Sequence, residues 1–237
     1  MIDTIFFDLD GTLLPMDQDH FVEEYFQRLT HALVKLGYDA KLCMHGIAEA
    51  TKQMMLNKGP HLNEALFWKH FTELTNIDKA DVEVDIHEFY VNDFQNVIKT
   101  TQPIDDIQGT IDVIKDKGYQ LVLATNPLFP EIATYSRIKW ANLNRDSFTE
   151  ITTYENYHAS KPHLEYYQEI LKKVDREAHH VLMVGNDVSE DLSIAKLGAK
   201  TYLVTDNLIN HHELEIESDY VGTMAEFRAF AENLPTL

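Results

Sequence analysis

The sequence predicts an α/β fold: a parallel sheet covered by helices on both faces, with a helical subdomain inserted after the first strand. Three observations carry this expectation. Short apolar runs recur at IDTIFFDL (2–9), YQLVLAT (119–125), HVLMVGN (180–186) and AKTYLVT (199–205). Each is too continuous for a strand with one wet face, the pattern of strands buried on both sides. Between the later runs, apolar residues recur at helical spacing, whereas residues 16 to 100 carry helical spacing alone.

Taken in order, the first run ends at Asp10-Gly11-Thr12, a strand feeding a Gly turn. Val22, Tyr25, Phe26, Leu29, Leu33 and Leu36 then fall three and four apart, as do Leu62, Ala65 and Leu66, and later Ile86, Phe89, Tyr90, Phe94 and Val97. These stripes predict about four helices with enough apolar surface for a small core of their own. Ile107, Ile111 and Ile114 precede Gly118, and Leu164, Tyr167, Ile170, Leu171 and Val174 mark a helix before the third run. Leu192, Ile194, Ala195 and Leu197 form the next, and Met224, Phe227 and Phe230 the last. The expected organisation is a core of residues 1–15 and 101–237, and an inserted helical block of residues 16–100. Such an insertion leaves the sheet where an open α/β fold opens its ligand crevice, and would cover it.

The charge balance narrows the partners. The 39 acidic residues exceed the 20 Lys plus Arg for a formal charge of −19, with no basic block, which argues against nucleic acid and anionic membranes. A single cysteine, Cys43, excludes an intrachain disulfide and fits a reducing compartment. No apolar stretch approaches the roughly 20 residues that span a bilayer. The expectation is a cytoplasmic protein, monomeric or a small homo-oligomer, acting on a small molecule.

Four separated segments deliver polar groups to one sheet edge: Asp8, Asp10 and Thr12 after the first strand, Thr125 and Asn126 after the second, Lys161 in HASKPHLEYY, and Asn186, Asp187 and Asp191 after a later strand. Carboxylates gathered in a small volume repel unless a cation joins them. With every candidate donor an oxygen, Mg²⁺ is the favoured ion. A carboxylate facing a phosphoryl group can act as nucleophile, and a second can protonate the leaving alkoxide and then activate water. The Thr125 hydroxyl, the amides following Asp8 and the Lys161 ammonium suit the remaining phosphoryl oxygens. The 12 histidines include the pairs His179-His180 and His211-His212, which lack partners for a zinc site. Phe67, Trp68, Met54 and Met55 read as helix packing, and His20, at the root of the insertion, as exposed.

In order, FDLDGTL, VLATNP, SKP and VGNDVSED resemble the four motifs of the haloacid dehalogenase-like hydrolase superfamily. The resemblance covers residues 1–15 and 100–222. It implies a Rossmann-like core and phosphatase activity, with Asp8 as nucleophile, Asp10 as acid/base, and Thr125, Asn126 and Lys161 on the phosphate. It also implies Mg²⁺ held by Asp8, the backbone carbonyl of Asp10 and a fourth-motif carboxylate, under a helical C1 cap. An Asp at position 10 favours phosphoester over carbon–halogen hydrolysis. The fourth motif departs from the usual Gly-Asp start, having Gly185-Asn186-Asp187; Asp187 is preferred as the direct ligand, Asn186 as an additional one. Thr12 and Asp191 stand behind these groups, Asp191 orienting a metal-bound water or Lys161. A sugar phosphomutase would use the same attacking residue, and a non-catalytic binding module on this fold is the alternative of another class.

Overall fold

The computed structural model describes residues 1–237. Its six strands are β1 (Thr4–Phe7), β2 (Gln120–Leu123), β3 (Glu150–Ile151), β4 (Val181–Gly185), β5 (Lys200–Val204) and β6 (Tyr220–Gly222). They form one parallel sheet in the order β3-β2-β1-β4-β5-β6. All four residues of β1 are fully buried, and β1 pairs with β2 on one side and β4 on the other. The four apolar runs of the sequence thus become the four central strands, with short β3 and β6 added at the edges.

Successive side chains in a strand point to opposite faces, so the sheet supplies two cores. Ile5 and Phe7 join Leu121, Leu123, Leu182 and Val184 on one face, and Phe6 joins Val122, Val181 and Met183 on the other. Against the first face lie α5 (Ile107–Asp116), through Ile107, Ile111 and Ile114, and α8 (Met224–Glu232), through Met224 and Phe227. Against the second lies α7 (Leu164–Lys173), through Tyr166, Tyr167 and Ile170. Burying each such side chain stabilises the fold by about 1.5–3 kcal/mol before the cost of ordering. The remaining core helix is α6 (Glu131–Trp140). The stretch after β4 forms a 3₁₀ helix, Asp191–Leu197, rather than the expected α-helix, and Gly198 closes it with φ 96°.

Between β1 and β2 the chain builds α1 (Gln18–Lys35), α2 (Ala40–Met55), α3 (Asn63–Thr75), α4 (Lys79–Val91) and a 3₁₀ helix, Phe94–Thr100. Asp17 and Asp39 accept hydrogen bonds from the first-turn amides of α1 and α2, satisfying donors that have no partner inside the helix. The chain leaves and re-enters the sheet at one place, where Met16 bridges Thr101 and the Gln102 amide donates to the Pro15 carbonyl at 2.8 Å. The apolar stripes of α1–α4 do not close on themselves. Phe21, Tyr25, Leu29, Ile47, Phe71 and Tyr90 belong to the same cluster as the first sheet face, joined across rings such as Tyr25 on Phe129. Asn63, fully buried at the start of α3, donates to the carbonyls of Pro127 and Ala159. No helix is long and apolar enough to cross a membrane.

Candidate active site

The central position of β1 decides what meets its end. The Asp8 amide donates to the Val184 carbonyl at 2.9 Å, continuing the ladder one residue past the strand. The chain then turns at Gly11, whose φ of 86° suits glycine. A side chain there would also collide with Asn186, whose Nδ2 stands 2.4 Å from where a Cβ would lie. At Gly185 a side chain would likewise collide with the Asp191 carboxylate. Gly11 therefore lets the Asn186 amide press against the β1 loop, and Gly185 lets the Asp191 carboxylate fold back against the end of β4.

Asp8 is 6% exposed and held from two sides. Lys161 Nζ donates to its Oδ1 at 2.8 Å, and the Thr12 hydroxyl donates to its Oδ2 at 3.1 Å. Lys161, 1% exposed, also donates to Asp191 Oδ1 at 2.6 Å, and Asp191 Oδ2 accepts from the Asp187 amide. Burial opposes the charge on Lys161, but Asp191 and Asp8 outweigh it and hold the ammonium well above the usual lysine range. One ammonium shared between two buried carboxylates cannot neutralise both. Burial accordingly pushes Asp191 up to about 7, against the pull of Lys161 and with the help of Asp8.

Thr125, 1% exposed, has its carbonyl fixed by the Tyr166 hydroxyl at 2.9 Å. The Asn126 amide donates to both carboxylate oxygens of Glu190, at 3.0 and 3.1 Å. Asn186 accepts from the Thr12 hydroxyl at 2.9 Å and donates to the Asn207 carbonyl. Asp187 Oδ1 accepts from the amides of Ser189 and Glu190, which ties the carboxylate to the following turn.

The ends of β1, β2 and β4 enclose a cavity of about 20 Å³ whose wall includes Asp8, Asp10, Thr125, Asn126, Asn186 and Asp187 and has no hydrophobic residue. Asp191 and Glu190 complete its acidic side. Lys161 and Thr12 are not part of this wall; they reach Asp8 from behind. A second cavity of about 380 Å³ opens from the same place between the inserted helices and shares Asp10, Asn126, Asp187 and Glu190 with the first. Phe67 and Trp68, expected as helix packing, line this larger space, as does Met55, while Met54 is buried. His20 is exposed.

Two site residues escaped the sequence reading. Arg137 on α6 is fully buried, is ion-paired with Asp10 Oδ2, and lies 4.1 Å from the centre of the Phe129 ring. Burial pushes the Asp10 carboxyl up, and the adjacent Arg137 guanidinium opposes it. A signal for Arg137 existed: it shares the helical stripe of Ala133, Thr134, Ile138 and Ala141, all buried. Glu190 had a weaker signal, standing between Ser189 and Asp191 in a stretch where any acid reads as solvated.

The donor set suits a hard divalent cation. Asp10 Oδ1 and Asn126 Oδ1 are buried without a hydrogen-bond partner, and the surrounding donors are oxygens. No three Asp, Glu, His or Cys side chains converge as a ready-made metal cluster, so amide and backbone oxygens would have to complete the shell.

Comparison with known proteins agrees with the fold. A family model of haloacid dehalogenase-like hydrolases matches residues 2–199. Glyceraldehyde 3-phosphate phosphatase of Methanocaldococcus jannaschii is 26% identical, over 99% of this chain and 99% of its own. Pyrophosphatase PpaX of Bacillus pumilus is 24% identical, over 84% and 82%. Among solved structures, a HAD phosphatase from Thermococcus onnurineus superposes over the whole of both chains with a TM-score of 0.63 at 19% identity, a likeness of fold. The chain belongs to the haloacid dehalogenase-like hydrolases.

Proposed function

We propose that the protein is a Mg²⁺-dependent phosphomonoester hydrolase that acts on a small metabolite through an Asp8 phosphoenzyme, beneath a cap formed by residues 16–100. The observation that carries this reading is the position of Asp10, on the shared wall of the two cavities, beside the polar pocket that contains Asp8. A phosphoryl group directed at Asp8 leaves its ester oxygen near Asp10 and the rest of the substrate in the larger space.

Asp8 attacks phosphorus, the bond to the ester oxygen breaks, and the protonated Asp10 gives its proton to the departing alkoxide. Burial favours that protonated form. Asp10, now ionised and supported by Arg137, takes a proton from water as the water attacks phosphorus. The Asp8–phosphorus bond breaks, phosphate leaves, and both carboxyl groups return to their starting states. Lys161 and Thr12 keep the Asp8 oxygens oriented throughout. The Thr125 hydroxyl and the backbone amides after Asp8 serve the phosphoryl oxygens. Mg²⁺, held by Asp8, the Asp10 carbonyl and Asp187 with Asn186 as additional donor, would offset phosphoryl charge. The names of the sequence relatives, a sugar-phosphate phosphatase and a pyrophosphatase, support phosphoryl chemistry.

The test is phosphate release from a panel of small phosphoesters with Mg²⁺, comparing wild type with Asp8→Asn and checking the fold of the variant by circular dichroism. Turnover is expected to vanish in the folded variant. Undiminished release would overturn the proposal.

A further inference from the structure

The larger cavity carries information about the substrate that the catalytic groups do not. It holds about 380 Å³, and sixteen of its 25 lining residues are hydrophobic. The rings of Tyr25, Phe26, Phe67, Trp68, Tyr90 and Phe129 form much of its wall. Of its three tyrosines, Tyr25 and Tyr90 spend their hydroxyls on each other at 2.7 Å, which leaves Tyr154, Gln18, Thr51, Asn126 and the unpartnered Trp68 indole N–H as its uncharged polar groups. Its charged side chains are Asp10, Asp19, Asp187 and Glu190; no Lys or Arg lines it, and His211, exposed at the rim, is the sole basic side chain. Arg137 is occupied by Asp10, and Lys161 by Asp8 and Asp191.

These features exclude as much as they admit. A substrate with a second phosphate or a carboxylate away from the reacting phosphorus would place that anion beside carboxylates and rings, with no cation to meet it. A polyol would give up water for few hydrogen bonds. An aromatic or branched aliphatic body gains from leaving water, and the space is of the size that takes small organic ligands.

Resting on the phosphatase reading, we propose that the substrate is a phosphomonoester of an uncharged, apolar alcohol with an aromatic or bulky aliphatic body, seated in this cavity with its ester oxygen at Asp10. The reaction takes the ester and water to the free alcohol and inorganic phosphate. This class differs from the substrates in the names of the two sequence relatives, a polar sugar phosphate and pyrophosphate.

The test compares kcat/KM of the full chain with Mg²⁺ for benzyl phosphate, hexyl phosphate, glycerol 3-phosphate, phosphoglycolate and pyrophosphate. The first three release primary alcohols, so leaving-group chemistry is matched and the body is the variable. In parallel, benzylphosphonate and phosphonoacetate, which cannot be hydrolysed, are titrated against the fluorescence of Trp68 in the cavity wall, with Trp140 replaced by Phe. The expected result is a kcat/KM for the benzyl and hexyl esters about tenfold or more above that for glycerol 3-phosphate, with saturable binding of benzylphosphonate and little of phosphonoacetate. Phosphate release that favours glycerol 3-phosphate, phosphoglycolate or pyrophosphate, or shows no preference, overturns the substrate class and leaves the phosphatase reading intact. Selective binding of benzylphosphonate with no ester hydrolysed supports the cavity's selectivity while ending the phosphatase reading. Absence of both hydrolysis and binding ends both.

Discussion

Lys161 Nζ lies 2.8 Å from Asp8 Oδ1, a contact between residues 153 positions apart that closes the site from behind. The same ammonium holds Asp191, and all three groups are buried. Replacing Lys161 by Met would strand two carboxylates away from water. Breaking a buried ion pair from one side costs about 3–5 kcal/mol, so Lys161→Met should lower the urea midpoint by a corresponding amount and abolish phosphate release. A midpoint unchanged from wild type would show that the ammonium does not neutralise these carboxylates.

Asp10 and Arg137 make a second ion pair, with the guanidinium fully buried. Arg137 also donates to the Thr134 hydroxyl and packs over Phe129, roles that need a planar guanidinium. Arg137→Met should destabilise the protein by about 3–5 kcal/mol, and Arg137→Lys should restore only part of the loss. Urea unfolding of the two variants distinguishes this from a simple need for positive charge, in which Lys would restore all of it.

Glu190 gives the site a pH signature. Burial pushes its carboxyl up from 4.5 to about 8, Lys161 opposes this, and Asp187 and Asp191 add to it. The folded state therefore keeps a proton that the unfolded chain releases. This contribution to stability is fully present below about 4.5 and is lost as the pH rises through about 8. Asp191 works in the same direction. Without divalent ions, the melting temperature should fall from about pH 5 to about pH 8, and Glu190→Gln should flatten that fall. Added Mg²⁺ should recover more stability at the higher pH, because the cation takes the place of protons. An equal slope in the Gln variant would contradict the assignment.

Asn63 ties the inserted helices to the loops that carry Thr125 and Lys161. Its side chain donates to the Pro127 and Ala159 carbonyls and accepts from Asn57. Asn63→Leu leaves those buried carbonyls short of donors, a loss of about 1–3 kcal/mol. If the helices cover the site as proposed, KM for a small phosphoester should rise as well. Stability loss with unchanged kinetics would separate the helices from catalysis.

The parts of this fold that were legible in the sequence are those where burial leaves no choice. β1, β2, β4 and β5 are buried on both faces, so their apolar runs stand out within one or two residues of the observed ends. β3 and β6 have two and three residues, too few for a pattern to emerge. Asp8 and Thr125 come together because parallel pairing brings the ends of neighbouring strands to one edge, and β1 lies between β2 and β4. Arg137 stayed hidden because its charge masked its place on an apolar stripe. The large cavity stayed hidden for a different reason: helical spacing marks Tyr25, Phe67 and Trp68 as inward-facing, but whether the space they face is filled depends on packing across four helices.

The most direct test of the central claim is acid-quench mass spectrometry of the wild-type protein during turnover of a hydrolysable phosphoester with Mg²⁺. The account predicts a phosphoryl adduct on the peptide bearing Asp8, absent from the Asp8→Asn variant. Steady phosphate release with no adduct on that peptide, or an adduct that persists in Asp8→Asn, would contradict it.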